Sequence, residues 1–180
     1  MAEQMTFSPQ ELEYLSLLAK DFPTAQDTIT EIINLHAILN LPKGTEHFMS
    51  DIHGEYEAFT HILRNASGAI KEKIDELFVD RLDEDQRATL ATLVYYPSEK
   101  TEDITDEMSD DVKEDWYRTN LSYIIELCRY VSTKYTRSKV RKAIPKGYAY
   151  VLDELLNTDY TLHNKREYYD NIIDSIIRMN

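Results

Sequence analysis

The chain has 180 residues, with 33 acidic against 20 basic side chains and a net charge of −13, which by charge alone opposes docking on nucleic acid or an anionic membrane. Hydrophobic residues make up 42% of it and Cys128 is its one cysteine, so it has apolar content for one packed domain and no means of building a disulfide framework or a cysteine-rich zinc site. It shows neither a charged start leading into an apolar run nor a stretch of about 18 apolar residues, so the expectation is a soluble cytoplasmic protein without membrane or nucleic-acid partners.

Four glycines and five prolines favour long regular elements over a loop-rich sandwich. Thirteen tyrosines predict a core rich in aromatic rings whose hydroxyls need partners. Ser8, Pro9 and Glu11 spell the start of a first helix, with the serine and glutamate spaced as a capping box. Leu12, Leu15, Leu18 and Ala19 give it a stripe that ends near Asp21-Phe22-Pro23. Thr24 caps a second helix in which Ile29, Ile32, Ile33 and His36 share a face, and Leu41-Pro42 stops it. His36 on that face reads as a core histidine with a satisfied ring.

A short extended segment over 45–50 then delivers Asp51 and His53. Residues two apart on an extended chain point to one side, so a carboxylate oxygen and an imidazole nitrogen can converge. That donor pair suits a borderline divalent ion such as manganese, iron or zinc, and Gly54 leaves room for a ligand before the next helix. Asp-x-His alone is a weak signal, which more often marks a helix-capping aspartate followed by a turn histidine. Tyr56, Phe59, Leu63 and Ala66 mark the helix that follows. A lone strand at 45–50 has open edges, a route to rearrangement or to pairing between molecules as a homo-oligomer.

Ile70, Ile74 and Leu77 predict a helix from Ala69 to Phe78. Asp83 and Gln86 form a second capping box, opening a helix through Leu90, Leu93 and Val94 that Pro97 ends. The acid-rich segment 98–111 reads as a solvated connector with acids at a helix start, in preference to a metal-binding loop, since its spacing fits no EF-hand. The longest helix is expected from about Val112 to Tyr135, on a seam of Tyr117, Leu121, Ile124, Cys128, Val131 and Tyr135. Cys128 is expected inside, as a small hydrophobe. No acid occurs between Glu126 and Asp153, and Lys134, Arg137, Lys139, Arg141, Lys142 and Lys146 form the only basic cluster. Arg137, Lys139, Arg141 and Lys142 are therefore candidates for holding a phosphorylated ligand, against the alternative of a solvated helix face. Pro145-Lys146-Gly147 breaks the chain before helices at 148–156 and 164–178.

Phe48-Met49-Ser50-Asp51-Ile52-His53-Gly54-Glu55-Tyr56-Glu57-Ala58-Phe59 closely resembles the first motif of the class 3, Firmicutes-type fructose-1,6-bisphosphatases, which are calcineurin-like metallophosphoesterases. The resemblance runs on through Arg64-Asn65-Ala66-Ser67-Gly68, Tyr95-Tyr96-Pro97-Ser98 and the stretch from Ser132 to Ala143. It implies hydrolysis of fructose 1,6-bisphosphate to fructose 6-phosphate and phosphate in gluconeogenesis, at a binuclear manganese site whose first metal Asp51 and His53 would hold. The family's Gly-Asp-x-x-Asp-Arg-Gly and Gly-Asn-His segments are absent, since none of the four glycines precedes Asp or Asn. The resemblance therefore covers an N-terminal portion only, with no catalytic residue in this chain, a metal site poorly occupied or empty, and no activity expected of the chain alone. Two other readings are a metallophosphoesterase of different substrate specificity and a non-catalytic helical interaction module.

The expected fold is mostly α-helical with one strand–turn–helix unit. The parent fold implied by the resemblance is an α/β sandwich with helical additions. Residues 1–44 read as a helical pair, 45–66 as the first strand–turn–helix unit of the metallophosphoesterase domain and 67–180 as a helical region, the C-terminal remainder of the catalytic domain being absent.

Overall fold

The structure, a computed structural model, describes residues 6–44, 46–158 and 163–179. The chain divides into two compact units, Met1–Lys43 and Gly44–Asn180, and all regular structure among the described residues is helical.

The first unit is two capped helices, α1 (Pro9–Asp21) and α2 (Ala25–Ile38). The Ser8 hydroxyl accepts from the Glu11 N–H at 3.3 Å while the Glu11 carboxylate accepts from the Ser8 N–H at 2.7 Å. Thr24 and Asp27 repeat the exchange at 3.1 and 3.2 Å. Each box satisfies N–H groups that an isolated helix leaves open. Neither helix has a buried residue, and His36, expected inside, is exposed. Two helices by themselves cannot enclose an apolar stripe.

The second unit holds α3 (Tyr56–Asn65), α4 (Ala69–Phe78), α5 (Glu84–Tyr95), α6 (Pro97–Thr105), α7 (Asp110–Ser132), α8 (Arg137–Ala143), α9 (Ala149–Asn157) and α10 (His163–Arg178). The Asp83–Gln86 box opens α5 as its sequence predicts, with bonds of 2.8 and 3.0 Å. Two apolar clusters form. Ile74, Phe78, Leu82, Leu90, Ala91 and Leu127 pack α4, α5 and one side of α7. Ile125, Leu155, Tyr169 and Ile173 pack the other side of α7 against α9 and α10. The longest helix thus lies between both clusters.

Polar ties follow the same division. The Arg129 guanidinium on α7 donates to the Leu155 carbonyl from Nε at 2.9 Å and to the Thr158 carbonyl at 3.2 Å. It thereby closes the C-terminal carbonyls of α9 while lying 5.2 Å from the Tyr169 ring centre. Arg118 on α7 pairs with Asp174 on α10. On the α4–α5 side, Asp75 accepts from Lys71 at 2.7 Å and from Arg87 at 2.8 Å.

Three expectations are corrected. No strand forms at 45–50: residues 46–50 take no regular structure, Thr45 lies outside the described residues, and a strand needs a partner that no described residue provides. In the acid-rich segment after Pro97 the helix-start acids are present, Glu99 in the first turn of α6 and Asp110 and Asp111 in that of α7. The expected connector, however, is itself helical: Pro97 opens α6 and the Thr105 hydroxyl, buried, donates back to the Thr101 carbonyl at 2.9 Å. Among the described tyrosines only Tyr169 is buried, so the core is aliphatic more than aromatic. No helix among the described residues is long and apolar enough to cross a membrane.

The Lys71 and Arg87 hydrogen bonds hold the Asp75 carboxyl below its ordinary range. The folded protein therefore binds that proton less readily than the unfolded chain. The resulting stability is complete above about pH 4 and is lost as pH falls through the lower folded value. Asp75→Asn is expected to cost about 1 kcal/mol at neutral pH. It should also flatten the acid limb of stability against pH in urea titrations between neutrality and about pH 3.

Candidate functional site

Asp51 and His53 meet through an unusual backbone. His53 Nε2 lies 2.8 Å from Asp51 Oδ1, yet the intervening chain is not extended: φ is +66° at Asp51, +52° at His53 and +76° at Gly54. Aspartate and histidine tolerate the left-handed region better than most side chains, and glycine adopts it freely. The convergence expected of an extended segment is achieved instead by a left-handed turn. Asp51 does not cap the next helix, since α3 begins at Tyr56 without a side-chain cap.

Positive φ marks only two places among the described residues, 51–54 and 66–68. Ala66, Ser67 and Gly68 have φ of +49°, +54° and +86°, and the Asn65 side chain accepts from the Gly68 N–H at 3.2 Å to hold that second turn. Non-glycine residues in this region cost roughly 1–2 kcal/mol each, and such strain collects where a site needs a fixed shape. Both turns fall inside the stretches that carry the family resemblance.

The stretch at Tyr95–Ser98 packs beside α3, the helix that joins the two turns. His61 on α3 and Tyr96, between α5 and α6, stack with ring centres 5.8 Å apart, and His61 Nδ1 lies 2.6 Å from the Tyr96 hydroxyl. The Arg64 guanidinium sits 4.9 Å from the Tyr96 ring centre. Sequence reasoning missed this His61–Tyr96–Arg64 group; its one signal was that Arg64 and Tyr96 lie in separate resembling stretches. At the start of the approach to Asp51, Gly44 lies close to Tyr135, and a Cβ there would come within 3.4 Å of the tyrosine hydroxyl. Lys134 and Lys139 lie 5.6 and 4.8 Å from the Tyr135 ring centre.

As a metal donor set, Asp51 and His53 are chemically apt and numerically short. One carboxylate and one imidazole suit manganese, iron or zinc, but no His, Cys, Asp or Glu among the described residues completes a cluster of three with them. Their side chains are 77% and 71% exposed, Phe48 is 91% exposed and α3 buries nothing. The pair therefore stands on an uncovered surface.

The other expected sites are placed as follows. Arg137, Arg141 and Lys142 line one hollow between α8 and α9, while Lys139 turns to Tyr135. Cys128 is exposed, contrary to expectation. It lines an apolar groove of about 850 Å³ with Ile124, Val140, Leu152 and Ile172, and those surroundings push its thiol pKa up, which disfavours the nucleophilic thiolate.

A family model described as Firmicute fructose-1,6-bisphosphatase matches residues 13–180. The chain is 56% identical over 169 residues to the class 3 fructose-1,6-bisphosphatase of Listeria innocua, covering 94% of this chain and 26% of that protein. It is 56% identical over 166 residues to the class 3 enzyme of Clostridium acetobutylicum, covering 92% of this chain and 25% of the relative. The chain thus spans about a quarter of the length of these relatives. No solved structure matches it significantly.

If the Asp51–His53 turn serves ligation and not folding, Asp51→Ala and His53→Ala should each move the unfolding free energy by no more than about 0.5 kcal/mol. Urea denaturation measures this. A loss above about 2 kcal/mol in either variant would make the turn a structural one.

Proposed function

The chain belongs to the Firmicute fructose-1,6-bisphosphatase family, and we propose that it is part of a cytoplasmic enzyme that hydrolyses fructose 1,6-bisphosphate to fructose 6-phosphate and phosphate in gluconeogenesis. The observation that carries this reading is the Asp51–His53 contact of 2.8 Å on a left-handed turn, within a chain more than half identical to proteins bearing that enzyme's name.

Asp51 and His53 would hold one metal through a carboxylate oxygen and an imidazole nitrogen. A manganese pair, when bound, supplies positive charge that polarises the phosphoryl group and lowers the pKa of the attacking water. The protein's part is to fix its donors before substrate arrives, and the strained left-handed turn at 51–54 is the kind of backbone that recurs at functional sites. The remaining ligands and the proton donor to the leaving alcohol belong, in this reading, to the three quarters of the relatives' length outside these residues. The bare surface around Phe48 and α3 is where that part would pack. The 180 residues alone then bind manganese weakly and do not turn over.

Phosphate release tests this directly. The longer protein, extended to its relatives' length, should hydrolyse fructose 1,6-bisphosphate in preference to other sugar phosphates when supplied with manganese. Asp51→Ala should lower the rate at least about a hundredfold, a metal's charge being worth several kcal/mol at the transition state. The 180-residue chain should release no phosphate. A preference for another ester would overturn the substrate, and full activity in Asp51→Ala would overturn the role of the turn.

A further inference from the structure

The one long stretch of this acidic chain without a carboxylate, 127–152, folds around a hollow. Each helical residue advances by about 100°, so Arg137 and Arg141, four apart on α8, share a face, with Ser138 and Lys142 on the strip beside it. All four line a concavity of about 600 Å³ whose far wall is Tyr150 and Asp153 of α9. Asp153 accepts from Arg137 at 3.1 Å, which neutralises one cation and ties α8 to α9. Arg141 and Lys142 are exposed and have no ion-pair partner among the described residues.

Two uncompensated cations therefore face one concavity, together with the hydroxyls of Ser138 and Tyr150. The Tyr150 hydroxyl lies 3.3 Å from that of Tyr168, which limits where it can swing. A net charge of two matches the charge of a phosphate monoester, −1.5 to −2 near neutral pH. A guanidinium adds a planar fork that binds phosphate oxygens in pairs. The hollow is much larger than a bare phosphate, and Ile144, Ala149 and the Tyr150 ring offer apolar lining for a carbon body.

We propose that the hollow between α8 and α9 binds the phosphate group of a small phosphate monoester, held chiefly by Arg141 and Lys142. Neither Asp51 nor His53 lines this hollow, and binding there does not depend on the reaction assigned to that pair. Lys139, engaged with Tyr135, takes no part.

Phenyl phosphate is the probe, titrated into the 180-residue chain at constant ionic strength and followed by amide chemical shifts. Saturable shifts are expected at Ser138, Arg141, Lys142 and Tyr150. Arg141→Gln combined with Lys142→Gln should weaken the dissociation constant about tenfold or more, since each lost charged hydrogen bond is worth about a factor of ten. Lys71→Gln combined with Lys73→Gln, which removes the same charge from α4, should leave it within about twofold. Far-UV circular dichroism checks that both variants keep the helical fold. Shifts that fail to saturate, equal affinity in the Arg141/Lys142 variant, or an equal loss in the Lys71/Lys73 variant would each overturn the proposal.

Discussion

Ile125 and Leu127 are two residues apart on α7, so about 200° separates their side chains around the helix axis. Each is buried, one in the cluster with α9 and α10 and the other in the cluster with α4 and α5. One helix is thus apolar on two opposite sides, and the second unit is built on both of them. The polar anchors obey the same geometry. Arg129 closes the end of α9, Arg118 reaches Asp174 on α10, and Tyr130 donates to Glu76 on α4 at 2.9 Å. Deleting either buried aliphatic would leave a cavity at a cost of about 2–5 kcal/mol.

This arrangement also fixes two longer-range contacts of the family stretches. The α4–α5 packing carries Tyr96 to His61 and Arg64 on α3, and the end of α7 carries Tyr135 to Gly44, from which the chain runs toward Asp51. The helical body is in this sense a mount for a short segment of irregular backbone. That segment differs from the body in lacking regular structure, and its side chains at Phe48, Asp51 and His53 are largely exposed.

Local signals were readable in the sequence because they rest on contacts three or four residues apart. The capping boxes at Ser8 and Asp83 formed, Thr24 capped its helix and the chain broke at Pro145-Lys146-Gly147 before α9. Long-range facts were less accessible. The seam through Ile124 and Cys128 placed the helix but not its buried faces, because a two-sided helix blurs a single stripe; Ile125, one of the buried residues, lay off the seam. Cys128 fell on the seam and yet opens into a groove. Pro97 signals a stop for one helix and, in the structure, also starts the next. The Asp51–His53 convergence was foreseen through the wrong backbone, since alternation assumes a strand and a strand assumes a neighbour. The His61–Tyr96–Arg64 group joins residues more than thirty positions apart and had no local signature.

The proposed function rests on Asp51 and His53 as donors to a metal. The direct measurement is manganese bound per chain at equilibrium in the longer protein, with and without Asp51→Ala and His53→Ala together. The account predicts that the variant retains its unfolding midpoint and loses tight binding of one manganese ion, with affinity falling at least about 10–100-fold. Unchanged manganese affinity and stoichiometry in the variant would contradict it, and would leave the turn as a strained piece of backbone with no part in metal binding.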